Sequence, residues 1–456
     1  MKKIDIDIRT ISPMFSGRGD NSFSLTPQSV RGVLRFWFRA VLPRVVNIVD
    51  NKENPKNKGE DCEWNYKLLK DIESYIFGST EIKSPFDVIV KNATVNKKSR
   101  VKGKKYEFYG LENKEYILPK SKFKIQFIIK KPISNLDIFL LELIKLVSDF
   151  GGFGARTKKG YGAFTIEKAT INNNLYRFNS EFDLKIIDEK MKLLLDDKIF
   201  NDLKFDIIKK NNIDVFISEY PTLIEGSYIV YEGKKSFNNW NELSDFLYSQ
   251  PFLGKIKKEK NKKKGNNKNI GINSGNPMLT ELFKNNLVDL DDINSLANED
   301  EETNSKGVYR LVKSSLRGTD FKKAISNFKY LNNDLKIKYS KYESPKFLDS
   351  IFGLPINFFI RKESKPYFFK YNENFGLKST EDRKSSQVII KPYENQNKIY
   401  YKVIIMRSNI NNCNNSQEVN LNFDGYKQNI KIKKSEYYKE IEKIMKENDL
   451  IKEGGK

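Results

Sequence analysis

Two segments of the sequence carry arginine and lysine at spacings that suit contacts with phosphate groups. In "PQSVRGVLRFWFRAVL" at 27–42, Arg31, Arg35 and Arg39 recur every fourth residue and would line one face of a helix. In "GGFGARTKKGYGAF" at 151–164, five glycines are interspersed with cations, so backbone N–H groups could approach a phosphate closely. The chemistry that both segments suggest is the binding of a polyanion.

Each segment also has a simpler interpretation. The helix could be amphipathic with a solvated basic edge, and the loop could be a flexible connector with a helix cap. The loop is not a P-loop, because the spacing is absent, and it is not a dinucleotide fingerprint, because its glycines end a helix and enter a strand. The loop residues that we predict to bind phosphate groups of a nucleic acid are Gly151, Gly152, Gly154, Arg156, Thr157, Lys158 and Lys159.

The charge of the chain favours a nucleic-acid partner. Its 82 Lys and Arg residues outnumber 59 Asp and Glu residues, which gives a formal net charge of +23. The chain has no histidine, so imidazole acid–base chemistry and histidine-ligated metals are excluded. Cys62 and Cys413 are the only cysteines, which excludes a cysteine zinc site and a disulfide framework. We expect no metal, no cofactor and no small-molecule substrate.

The compartment is predicted from features that the sequence lacks. It shows no secretory signal peptide and no apolar run long enough to span a bilayer. We therefore expect a cytoplasmic protein that does not contact membranes.

The periodicity of the first 170 residues predicts the order strand, helix, strand, strand, helix, strand. "KIDIDIRTI" alternates isoleucine with charged residues, as a half-buried strand does. Thr26 and Pro27 suit the start of the arginine helix. The later elements are strands at 85–95 and 121–130, a helix capped by Ser134 or Asn135 and ending near Phe150, and the strand "GAFTIEKATI". This order predicts an α+β, ferredoxin-like (RRM-like, βαββαβ) domain with insertions at 43–84 and 96–120.

Three motifs resemble those of the RAMP superfamily of CRISPR proteins. They are "ISPMFSGRGDNSFSLTPQSVRGVLRFWFRAV", the "FGS" before "SPFDVIV", and "GGFGARTKKGYGAF", in that order. The arginine helix is most similar to that of the first RAMP subunit of type III-B (Cmr) effector complexes. The resemblance is strong over 1–170 and weaker beyond.

The resemblance implies a subunit that works with RNA and with other subunits. It implies guide crRNA, target RNA and other Cmr-complex RAMP subunits as partners, with contacts near the 3′ portion of the guide. By the same resemblance the basic, aromatic insertion at 96–120 forms a thumb that bends the guide, the alternative being an ordinary hairpin. RNA is then the predicted ligand of Arg31, Arg35 and Arg39 and of the loop residues named above. Further RNA-binding residues are predicted at Arg18, Lys104, Lys105 and Arg317.

The second half of the sequence contains shorter matches to the motifs of the first half, in the same order. "SSLRGTDFKKAI" at 314–325 matches the arginine helix, with Arg317 in the place of Arg31, and "DSIFGLPI" matches "ESYIFGST". "KSSQVIIKP" and "KIYYKVIIM" then predict two strands, and the pattern at 435–453 predicts a last helix. We therefore predict tandem ferredoxin-like domains at 1–170 and 171–456, with the second copy degenerate and lacking a glycine-rich loop. The lysine-rich run at 255–268 either contacts RNA or is solvated.

The sequence favours a subunit without catalytic residues. RNA-cutting relatives place an aspartate shortly before the first helix arginine, where this chain has Leu25 to Gln28. The alternative is a metal-independent RAMP endoribonuclease that processes or cuts RNA with Asp20, lysine or tyrosine. A protein-only scaffold, the third class, fits poorly with the charge of +23.

Overall fold

The computed structural model describes most of the N-terminal half of the chain and several shorter segments of the rest. The described residues are 1–17, 21–50, 63–98, 111, 114–179, 183–208, 220–249, 353–354, 356–357, 376–379, 384–408, 418–423, 426–431, 442 and 450–452. The chain divides into two compact units. One comprises Met1–Ser244, Gln387–Ser408 and Asp449–Lys456, and the other comprises Asp245–Ser386 and Asn409–Asn448.

The helices and strands of the first half alternate along the chain. They are β1 (Lys2–Thr10), α1 (Pro27–Val41), β2 (Val49–Asp50), β3 (Glu63–Trp64), α2 (Tyr66–Phe77), β4 (Phe86–Thr94), β5 (Lys97–Lys98), β6 (Tyr116–Ile117), β7 (Lys122–Ile129), α3 (Leu136–Phe150), β8 (Phe164–Ile171), β9 (Asn174–Tyr176) and α4 (Leu184–Leu195). The remaining elements are β10 (Tyr228–Gly233), α5 (Trp240–Ser249), β11 (Gly353–Leu354), β12 (Ile356–Asn357), β13 (Gly376–Ser379), β14 (Lys384–Ser385), β15 (Val388–Asn395), β16 (Lys398–Met406), β17 (Glu418–Phe423), β18 (Tyr426–Lys431) and β19 (Leu450–Lys452).

The first sheet has the strand order β4-β7-β1-β8-β9, and every neighbouring pair is antiparallel. Its register sets Ile6 opposite Ile125 of β7 and Ala169 of β8. Because side chains alternate along a strand, the isoleucines of β1 all face the core, and Ile4, Ile6 and Ile8 are fully buried. A register shift between Asp7 and Ile8 lies in the pairing of β1 with β8.

Three helices contact one another through aromatic rings in the core beside this sheet. The ring of Phe38 in α1 lies 5.5 Å from that of Phe77 in α2 and 6.1 Å from that of Phe139 in α3. Phe77 in turn lies edge-on to Phe86 of β4 at 6.0 Å. Edge-to-face contacts at these distances add to the energy of apolar burial, so α1 is fixed between its neighbours.

A second sheet lies in the same compact unit and has the order β15-β16-β10-β19, again antiparallel throughout. The strands predicted from "KSSQVIIKP" and "KIYYKVIIM" correspond to β15 and β16, with β15 beginning four residues later than the predicted segment. The helix predicted at 435–453 is wrong at its end, because Leu450–Lys452 forms β19. Pairing of these residues with Tyr231 to Gly233 of β10 overrides the local helical pattern.

The second compact unit contains two further antiparallel arrangements. β11 pairs with β14, and β12, β13, β17 and β18 form a sheet in that order. The segments at 314–325 and 255–268 lie outside the described residues, as does most of the predicted thumb. The division at residue 170 stays a prediction, whereas the unit that holds the first sheet continues to Ser244.

Candidate nucleic-acid interface

Helix α1 begins as its sequence predicts. The side chain of Thr26 accepts a hydrogen bond from the Ser29 N–H at 3.1 Å, and Pro27 occupies the first helical position. Trp37 and Phe38 are buried, so the aromatic face of α1 packs into the core. Gly151 allows this packing, since a Cβ there would lie 2.7 Å from Nε1 of Trp37. The start of the glycine-rich loop, defined as residues 151–162, therefore lies directly against α1.

The arginine stripe of α1, defined as Arg31, Arg35 and Arg39, also contacts α2 and β4. Arg35 donates to Oε1 of Glu73 at 2.9 Å and to the carbonyl of Phe77 at 3.1 Å, and Arg39 donates to both Glu73 oxygens. Arg31 donates to the Phe86 carbonyl at 3.0 Å. The arginines therefore join α1 to the C-terminal end of α2 and to β4.

The charges of this stripe are only partly balanced. Glu73, whose side chain is 2% exposed, pairs with Arg35 and Arg39, and among the described residues no carboxylate lies within ion-pair distance of Arg31. The side chains of Arg35 and Arg39 keep 30% and 37% of their surface exposed. Burial, followed by the charge of Arg35, lowers the pKa of Arg31. A net positive charge therefore remains along this side of α1.

The glycine-rich loop is an internally bonded structure. The N–H of Phe153 donates to the carbonyl of Gly162 at 3.0 Å, and the N–H of Gly162 donates to the carbonyl of Pro13 at 2.8 Å. The N–H of Ala155 donates to the carbonyl of Phe15 at 2.6 Å. Gly154, with φ +92°, and Gly162, with φ +67°, adopt the left-handed conformation that favours glycine.

These bonds change the expected role of the loop amides. The N–H groups of residues 151, 153, 155, 159, 160, 161 and 162 donate to carbonyls of the protein, so they do not point at an external phosphate. A Cβ at Gly154 would meet the Phe15 carbonyl, and one at Gly152 would lie 2.6 Å from the Gly162 oxygen. Bulk at either glycine would therefore strain the fold itself, contrary to what a solvent-facing phosphate cradle implies.

The second sheet contacts the glycine-rich loop through β15. Ile390 N–H of β15 donates to the Lys158 carbonyl at 3.0 Å, and Lys391 donates from Nζ to the Gly151 carbonyl at 3.0 Å. Lys391 is 1% exposed, and its ammonium lies 5.6 Å from the centre of the Phe164 ring. Burial lowers the pKa of Lys391 to about 7, an effect that the charge of Asp149 opposes and that of Lys145 adds to. One strand therefore holds the loop at two points.

One cation of the glycine-rich loop lies against α1. Nζ of Lys158 lies 5.4 Å from the centre of the Phe36 ring of α1, a cation–π distance. Arg156 has φ +58° and is half-buried, as are Thr157 and Lys158, whereas Lys159 is exposed. The structure thus brings together the two basic segments predicted from the sequence, while Arg18, Lys104, Lys105 and Arg317 lie outside the described residues.

The open face of the first sheet offers a different surface. Charged residues of β1 and β7 alternate with the buried ones, and they pair across strands, as Lys124 does with Asp7 at 3.3 Å and Lys122 with Glu167 at 2.8 Å. Gln126 donates to Asp5 at 2.7 Å. No aromatic ring of β1 or β7 lies on this face, so it lacks the stacking platform that RRM domains present to RNA.

Two residues that shape the interface were not predicted from the sequence. Glu73 lies in α2, inside the insertion at 43–84, and is an acidic residue on the otherwise apolar face of Leu69, Ile72 and Ile76. Lys391 interrupts the apolar run of β15. A charged residue within an apolar pattern was the available signal in both cases.

The described part of the chain contains neither a metal-binding cluster nor a membrane-spanning helix. Its side chains include no group of three or more acidic or cysteine residues placed to hold a metal ion. Its helices include none that is both long enough and apolar enough to cross a bilayer.

Three solved structures and one family model are similar to this chain over part or most of its length. The structure of Cmr1 from Pyrococcus furiosus in its apo form has 16% sequence identity to this chain and a TM-score of 0.36. The alignment covers 90% of this chain and 88% of the Cmr1 chain. A chain of a type III-B Cmr-beta complex, bound to cognate target RNA and AMPPnP, has 12% identity and a TM-score of 0.35, with 88% and 94% covered. A chain of a type IV-B CRISPR complex has 15% identity and a TM-score of 0.25, with 41% and 98% covered.

At these scores the superpositions transfer no residue role to this chain. No curated protein matches the sequence. The family model of the RAMP superfamily matches residues 7–165, which run from within β1 to the start of β8 and include α1 and the glycine-rich loop. This match confirms the resemblance drawn from the motifs.

Proposed function

We propose that the protein is a non-catalytic RNA-binding subunit of a type III-B (Cmr) CRISPR effector complex in the cytoplasm. In this role it contacts guide crRNA near its 3′ portion and helps to capture complementary target RNA in antiviral defence. The observation that carries the proposal is the contact of the glycine-rich loop, through Gly151 and Lys158, with α1, the helix that carries the arginine stripe. The net charge of +23 supports a polyanionic partner.

The proposal includes a tandem ferredoxin-like architecture. In the first sheet the strands lie side by side in the order β4, β7, β1, β8. Numbered by their order along the chain, these are the second, third, first and fourth strands. The second sheet has the order β15, β16, β10, β19, which is again second, third, first and fourth. Because a shared antiparallel order is what duplication of one domain would produce, it supports two copies of the same plan.

The internal bonding of the loop assigns different roles to its parts. The glycines and most of the amides shape the loop, whereas Arg156, Lys158 and Lys159 supply the charge that phosphates require. We therefore infer that RNA contacts the loop mainly through these three side chains.

The expected result of neutralising these cations is weaker and less salt-dependent RNA binding. In the full chain, the combined changes Arg156→Gln, Lys158→Gln and Lys159→Gln should flatten the slope of log affinity against log salt by about 2, because each single-strand phosphate contact contributes about 0.7. Fluorescence anisotropy with a labelled single-stranded RNA at several salt concentrations measures this slope.

The matched control removes the same charge elsewhere. Lys185, Lys198 and Lys204 are exposed and lie on α4 or just after it. Their combined change to glutamine should leave the slope nearly as in the parent. A loop variant whose affinity and slope equal those of the parent would show that the loop is only a connector.

The protein should also be recovered with partners. Affinity purification of the tagged chain from its host, followed by mass spectrometry and RNA sequencing, should yield other RAMP subunits and a short guide RNA. Incubation of the purified chain with labelled RNA addresses the enzymatic alternative, since a non-catalytic subunit leaves the RNA intact. Recovery of the chain alone, or specific cleavage by it, would contradict the proposal.

A further inference from the structure

No contact within the described part of the chain explains why α1 has a glycine at position 32. Gly32 is exposed, lies in the interior of the helix and has no atom of the described residues within 4 Å of a Cβ built on it. Glycine inside a helix is less favourable than alanine, because it loses more backbone freedom on folding. Packing and backbone conformation therefore both permit a side chain that the sequence lacks.

The residues around Gly32 form a continuous surface with the glycine-rich loop. Gln28 and Phe36 lie four residues before and after Gly32, so the three share one stripe of α1. Gln28 is exposed and Phe36 is half-buried, and Lys158 lies over the Phe36 ring. We call these four residues, Gln28, Gly32, Phe36 and Lys158, the Gly32 surface.

The charge beside this surface favours one kind of occupant. The arginine stripe occupies the neighbouring positions of α1, where Arg35 and Arg39 share the carboxylate of Glu73 and Arg31 donates to the Phe86 carbonyl. Lys158 adds a cation at the other end. A protein helix could also approach a glycine closely, but the arginine stripe on one flank and Lys158 on the other suit a phosphate backbone better.

We propose that the sugar–phosphate backbone of single-stranded RNA lies against α1 at Gly32, between the arginine stripe and Lys158. The missing side chain lets the strand approach the helix, and Phe36 offers an aromatic ring next to it, as single-strand binding surfaces do. This inference rests on the proposed function and adds a contact surface that the arginine spacing does not specify.

Two substitutions in the full chain separate this role from a structural one. Gly32→Ala should raise Tm by about 2 °C, since alanine favours the helix and meets no described atom, and yet weaken RNA binding. Gly32→Gln, with a longer neutral side chain, should weaken affinity about tenfold, the effect of one lost close contact. Anisotropy with a fluorescein-labelled single-stranded RNA of mixed sequence, together with thermal melts, measures both.

A matched control introduces the same residue on another helix. Leu193 of α4 is exposed, and Leu193→Gln should leave RNA affinity as in the parent. Unchanged affinity in both Gly32 variants would overturn the inference while the parent still binds RNA. A Gly32→Gln variant that binds RNA normally but no longer co-purifies with other subunits would assign the surface to a protein instead. A parent without measurable affinity for RNA would overturn the proposed function and this inference with it.

Discussion

Replacement of Glu73 by alanine should lower the free energy of unfolding by about 3 kcal/mol, as expected when one partner of a buried ion pair is removed. The Glu73 carboxylate is buried and accepts hydrogen bonds from both Arg35 and Arg39. Its removal leaves two guanidinium groups without their counter-ion at the contact between α1 and α2. Because both arginines keep about a third of their side chains exposed, water offsets part of the loss. Urea denaturation followed by circular dichroism gives the value.

Two further variants establish the cause. Glu73→Gln keeps the shape and one acceptor oxygen, so it should have an intermediate effect. Glu232→Ala removes an acidic residue that is 42% exposed and paired with Lys402 at 3.1 Å, and it should cost less than about 1 kcal/mol. If Glu73→Ala were no more destabilising than Glu232→Ala, the arginine stripe would not depend on Glu73.

The second large effect is a change in the pH dependence of stability at Lys391. Burial lowers the pKa of this lysine to about 7 in the folded chain, whereas the unfolded value is 10.5. Between these values the unfolded chain binds the proton and the folded chain does not, so the parent should gain about 1.4 kcal/mol of stability per pH unit from this group. Below about pH 7 both states bind the proton, and the full penalty of burying the charge remains.

Lys391→Met should therefore flatten the rise in stability with pH between about pH 7 and about pH 9. The charged groups that face Lys391, Asp149 and Lys145, remain in the variant. Lys168→Met, at an exposed position of β8, should keep the parental slope. Equal slopes for the parent and Lys391→Met in urea titrations would mean that the buried lysine stays charged in the folded protein.

The first sheet and its two flanking helices could be predicted from the sequence because each has a strong local period. The alternating isoleucines of β1 and the Thr26–Pro27 start of α1 gave elements within one or two residues of those observed. The predicted strands at 85–95 and 121–130 agree equally well with β4 and β7. Local side-chain periodicity was sufficient there, since one face of each element is buried in a single core.

What could not be predicted depends on pairing between distant residues. The arginine spacing is equally compatible with RNA contacts and with ion pairs to α2, and the sequence does not show that Glu73 lies beside it. β19 has a helical local pattern and becomes a strand only by pairing with β10. The glycines of the loop indicated unusual backbone conformations, but the identity of the groups that the loop amides contact follows only from the fold.

The hydrogen bonds between β15 and the glycine-rich loop have a consequence for synthesis on the ribosome. Lys391 and Gly151 are 240 residues apart in the chain. At bacterial and eukaryotic elongation rates, the ribosome takes on the order of ten seconds or more to add that many residues. The nascent N-terminal region can form its own sheet during this interval, but its loop lacks the strand that fixes it until β15 has been synthesised. The surface that we propose to bind RNA is therefore complete only in chains that include β15, and translation products that stop before this strand lack it.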